Sequence, residues 1–130
     1  MCYVVGMAAP ASASHPFRVN QVSGGIVSSA MHVHSVLGPG LLESAYQGCL
    51  AHELRKRGFG VASQVGLPVV FDGEKIELGY RVDLVVENVV IVEVKSVEAI
   101  HPVHQAQLLV YAAEWDRSRP THQFLRNSPA

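Results

Sequence analysis

The sequence predicts an α+β domain, with helices packed on a mostly antiparallel three-stranded sheet. Three observations point there. Apolar residues recur at spacings of three and four through two early segments, Val19–Leu37 and Leu41–Arg57. After Gly58 the pattern becomes β-branched and strand-like. The strand-like segments are separated by Asp72-Gly73 and Glu87-Asn88, residue pairs that turn a chain back on itself.

Each element has its own justification. Residues 1–16, MCYVVGMAAPASASHP, are rich in Ala, Ser and Pro and read as a poorly ordered leader. They lack the basic start and the apolar length of a secretory signal, and Met7 is an alternative start. The first helix places Val22, Ile26, Ala30, Val33 and Leu37 on one stripe; Gly24 and Gly25 weaken its early turns. Gly38-Pro39-Gly40 ends it. The second helix aligns Leu42, Tyr46, Cys49, Leu50 and Leu54. Arg55, Lys56 and Arg57 suit the negative end of its dipole, and Gly58 is placed to cap it. Strands are expected at Val61–Phe71, bent near Gly66 and Pro68, then at Ile76–Val86 and Val89–Val97. A last helix covers about Pro102–Trp115. The domain thus spans 17–116, with an irregular tail at 117–130.

Composition bounds what such a domain does. At 130 residues, 48% hydrophobic and 16% charged, it has material for one core and does not read as disordered. No apolar run reaches the roughly 18 residues of a membrane span. Two cysteines, Cys2 and Cys49, supply no metal motif and no expected disulfide, which fits a reducing cytoplasm. With a net charge of −1 there is no global field to attract nucleic acid. Arg55, Lys56, Arg57 and Arg81 are the local candidates for phosphate contact.

The chemistry is concentrated in YRVDLVVENVVIVEVKS, residues 80–96, where Asp83, Glu93 and Lys95 interrupt a valine-rich run. Glu93 and Lys95 share a face by strand alternation. Asp83 depends on the hairpin register. A two-residue turn would set it opposite Val92 and away from Glu93; a three-residue connection, Glu87 to Val89, would set it opposite Glu93. Two carboxylates at that range repel unless Lys95 or a hard cation offsets the charge. Asp and Glu oxygens match Mg²⁺ or Mn²⁺. The competing reading is a solvated strand end with a simple Glu–Lys pair.

Asp83 followed by Glu93-Val94-Lys95 resembles the D…ExK signature of the PD-(D/E)XK nucleases, with Val82 where the eponymous proline would stand. Gly40-x-x-Glu43-x-x-Tyr46, with HSVLGPGLLESAY, GYRVDLVV and PVHQAQLLVY, closely resembles the GxxExxY family of that superfamily, over roughly residues 19–112. The resemblance implies a restriction-endonuclease-like fold and metal-dependent cleavage of DNA or RNA. It implies Asp83, Glu93, the Val94 carbonyl and helix-borne Glu43 as metal ligands, and Lys95 as the catalytic lysine. Gln107 and Tyr111 resemble the QxxxY element of RecB-like nucleases, which contacts substrate; Tyr46 and His34 also match family positions and are expected at the substrate. His104 shares their helix face, while His52, His101 and His122 read as ordinary surface residues. His32 and His34 point about 200° apart on a helix and cannot chelate one ion together. The superfamily core is α-β-β-β-α-β, yet AAEWDRSRPTHQFLRNSPA offers no last strand, so the sheet should expose an edge. A homodimer or a protein partner would cover it. The rival expectation is a catalytically inactive module on the same fold, binding nucleic acid or protein.

Overall fold

Among the described residues two helices and four strands follow one another as β1 (Cys2–Ala8), α1 (Pro16–Leu37), α2 (Glu43–Lys56), β2 (Val61–Phe71), β3 (Glu74–Val86) and β4 (Val90–Val97). The structure is a computed structural model, and it describes residues 2–9, 16–38 and 42–97. The expected last helix, with His104, Gln107 and Tyr111, lies outside the described residues, as do Gly40 and the tail.

The helices form where the apolar stripes require them. Val22, Ile26, Ala30 and Val33 of α1 are at most 8% exposed, and Tyr46, Leu50 and Leu54 of α2 at most 2%. They close over Leu84, Val86, Val90, Val92 and Val94 on one face of the sheet. Each fully buried Leu or Val contributes about 1.5–3 kcal/mol relative to exposure. Leu42 and Cys49, expected on the same stripe, are exposed. Leu42 is the extended residue just before α2, and Ala51 fills the buried position instead. At the far end Gly58, with φ 95°, donates to Arg55 O, and Phe59 donates to Leu54 O, the paired closure that a left-handed glycine allows.

The sheet is antiparallel throughout, in the order β1-β4-β3-β2. Asp72 and Gly73, both at positive φ, turn β2 into β3, with Phe71 paired to Glu74. The pairing of β2 with β3 shifts between Leu67 and Val69, which places the expected bend at Pro68.

Two expectations need correction. Residues 2–8 are a strand rather than part of a poorly ordered leader, and among the described residues the sheet has four strands rather than three. Cys2 pairs with Val97 and Ala8 with Ile91, so β1 covers the outer edge of β4. Backbone donors and acceptors that would otherwise lie bare along that edge find partners. On the second face Leu67, Val82, Val85 and Ile91 form a separate buried cluster, with Ala8 and Val65 against it.

Candidate metal and nuclease site

The register of the β3–β4 hairpin settles where Asp83 goes. Val86 pairs with Val90, Val85 with Ile91 and Leu84 with Val92, so Glu87, Asn88 and Val89 form a three-residue connection. Glu87 and Asn88 both take positive φ, and Val89 N–H donates to Val86 O. Glu87 is held there by Arg18, at 2.8 Å, and by the Gly60 amide. Continuing the register brings Asp83 level with Glu93.

Here carboxylates replace backbone acceptors. Asp83 N–H donates to Glu93 Oε1 at 3.3 Å, and Val94 N–H donates to Asp83 Oδ2 at 2.8 Å. Each acidic side chain thus reaches into the gap between the strands and satisfies an amide of its neighbour. Both residues are half-buried. Glu93 is pushed up to about 7 from the ordinary 4.5, first by burial and then by the charge of Asp83; the Asp83 amide and Lys95 act the other way. Lys95 is also half-buried, on the same side of β4 as Glu93 by alternation.

Two amides that the sequence reading did not select complete the surroundings. Gln47 of α2 donates to Asp83 O at 3.2 Å, tying the helix to the strand at this point. Gln64 of β2 approaches Asp83 Oδ1 at 3.5 Å. Neither belongs to a charged or catalytic motif. The only sequence signal is that Gln47 follows Glu43 by one helical turn.

The remaining expected residues are placed variously. Glu43 is exposed in the first turn of α2, one turn before Gln47. Among the described residues no three His, Cys, Asp or Glu side chains form a group that could hold a metal ion. Tyr46, expected at the substrate, is only 2% exposed, and its hydroxyl donates to Ala30 O at 2.9 Å. It fastens α2 to α1. His34 lies exposed on the last turn of α1. Of the candidate phosphate contacts, Arg57 bonds Glu53 and Ser28, Arg55 donates to Val61 O, and Arg81 donates to Gln64 O.

An open antiparallel sheet and two covering helices define an α+β domain in which two adjacent strands bring an acidic pair together. A family model for the PD-(D/E)XK nuclease superfamily matches residues 20–118, and the chain belongs to that superfamily. The architecture is consistent with its restriction-endonuclease-like fold. Membership suggests nuclease activity and, with it, nucleic acid as a partner; nucleases of this superfamily generally use divalent metal ions. No curated protein and no solved structure matches the chain. Among the described residues no helix is long and apolar enough to cross a membrane.

Proposed function

We propose that this protein is a metal-dependent nuclease of the GxxExxY, RecB-like branch, hydrolysing phosphodiester bonds of DNA or RNA in the cytoplasm. The observation that carries the reading is the interlocked Asp83–Glu93 pair, with Lys95 on the same strand. In this reading Asp83 and Glu93, with Glu43 and the Val94 carbonyl, hold Mg²⁺ or Mn²⁺. The Asp83–Glu93 pair suits a hard ion: its donors are carboxylate oxygens, and of the causes that raise Glu93, burial and then the charge of Asp83, the second is a repulsion a cation would relieve. When bound, the ion polarises a phosphoryl oxygen and acidifies a water.

The chain's own groups do the rest. Lys95 orients the attacking water and balances charge developing on the phosphate. Asp83, anchored through Val94 N–H, fixes the geometry in which that water meets phosphorus. Gln107, Tyr111 and His34 hold substrate, and exposed Arg81 supplies a cation two residues from Asp83. Tyr46 acts from beneath, by fixing α2. A homodimer or protein partner is part of the same proposal.

The test is cleavage of single- and double-stranded DNA and RNA with Mg²⁺ or Mn²⁺. Glu93→Gln should slow cleavage by more than about 100-fold while leaving the circular dichroism spectrum unchanged. A variant that cuts at the parental rate removes Glu93 from the site. The second reading, an inactive module that binds nucleic acid or protein, draws on the lack, among the described residues, of three acidic or other ligand side chains grouped to hold a metal ion. It would show binding without cleavage, and no heat on titration with Mn²⁺.

A further inference from the structure

Gln64 sits in β2 at a φ of 52°, a left-handed conformation that a long non-glycine side chain rarely takes inside a strand. Its place in the ladder is directly opposite Asp83, since Ser63 pairs with Leu84 and Val65 with Val82. At this pair both strands exchange faces. On β2, Val61 packs against the helix-side core, yet Val65 and Leu67, at alternating positions that should share its side, belong to the opposite cluster. On β3, Leu84 and Val86 face the helices, whereas Val82 lies with Val85 on the other side. Strand alternation is therefore broken at Gln64 and at Asp83 together, without loss of register. Such local irregularities re-aim side chains, and Asp83 lies at the point where the faces change.

The side chain and carbonyl of Gln64 are both engaged. Its amide lies 3.5 Å from Asp83 Oδ1, at the long limit of a hydrogen bond, and Arg81 Nη1 donates to its carbonyl at 3.2 Å. With Val94 N–H on Oδ2, the two oxygens of Asp83 are each approached by a neutral donor from a different strand. That leaves lone pairs on both oxygens for a cation while fixing the plane of the carboxylate.

We infer that Gln64 is a positioning residue: its strained backbone rolls the strand pair so that Asp83 enters the gap, and its amide orients the Asp83 carboxylate for a divalent cation. The inference rests on the metal-binding reading above. Strain kept at such a place should be visible as stability given up for function.

Gln64→Gly relieves the left-handed backbone and removes the amide; Gln64→Ala removes the amide and keeps the strain. Mn²⁺ is titrated calorimetrically into each purified full-length protein, and thermal unfolding is followed without metal. Both variants should bind Mn²⁺ about tenfold more weakly than the parent. Gln64→Gly alone should melt about 2–6 °C higher. Affinities within twofold of the parent in both variants would overturn the inference and leave the metal site standing. So would a Gln64→Gly protein that melts at or below the parent. A parent that takes up no Mn²⁺ at millimolar concentration defeats the metal site and the inference with it.

Discussion

Glu93 is the residue whose protonation the fold alters most clearly, and that makes a directional prediction. A carboxyl raised from 4.5 to about 7 on folding binds its proton more tightly in the folded chain. Its contribution to stability is full below pH 4.5 and is lost as pH rises towards 7. In chelator, the melting temperature of Glu93→Gln should therefore gain on the parent across that window and stay ahead above it. Parallel curves from pH 4 to pH 8 would show that Glu93 titrates normally. Cation binding at pH 6 should also expel close to one proton, measurable as a buffer-dependent heat, and much less at pH 8. At this scale the acidic pair and Lys95 were legible, because charge in a valine-rich strand demands an explanation. Gln47 and Gln64 were not, because an amide acquires meaning only from the carbonyl or carboxylate that the fold brings to it. Tyr46 was legible as a position on the α2 stripe, whereas the bond of its hydroxyl to a carbonyl of another helix was not.

Elements show the same division between local and non-local information. The stripes of α1 and α2 and the Asp72-Gly73 turn are local, and the structure follows them closely. The glycines of α1 are a case where propensity alone misleads. Gly24 is exposed with nothing within 4 Å of an added Cβ, so Gly24→Ala should stabilise the protein by about 1 kcal/mol. Gly25 has the same intrinsic cost, but a Cβ there would meet the Phe59 ring at Cζ and Cε2, well inside contact distance. Phe59 packs against the core and would have to move. Set against the recovered propensity of about 1 kcal/mol, an overpacking cost of about 1–3 kcal/mol makes Gly25→Ala destabilising by up to about 2 kcal/mol. Denaturant midpoints of the two variants should move in opposite directions; movement in the same direction would leave propensity as the whole account. The hairpin Glu87–Val89 was legible only as a choice between two registers. Its outcome depends on Glu87, whose carboxylate is fixed by Arg18 and by the Gly60 amide, both distant in sequence.

For the molecule as a whole, the least legible feature is the strand that begins the described chain. The run CYVVGMA has the right residues for β structure, but nothing nearby in sequence pairs with it; its partner is β4, some ninety residues on. An edge strand whose formation depends on such a distant contact reads, alone, like a loose terminus. Yet β1 converts β4, the strand of Glu93 and Lys95, from an edge into an interior strand, with Gly6 opposite Glu93 and Val4 opposite Lys95. A chain begun at Met7 would keep only Met7 and Ala8 of the strand and would leave the β4 edge bare beside the site. Such an edge offers unpaired amides and carbonyls to another molecule. The shortened chain should melt at least several degrees lower and self-associate in a concentration-dependent way by light scattering. Its Mn²⁺ affinity should fall as well, because β4 no longer holds Glu93 in a fixed frame. A monomeric shortened protein with parental melting temperature and affinity would mean that the site is held by β3 and the helices alone, and that β1 serves only to cover an edge.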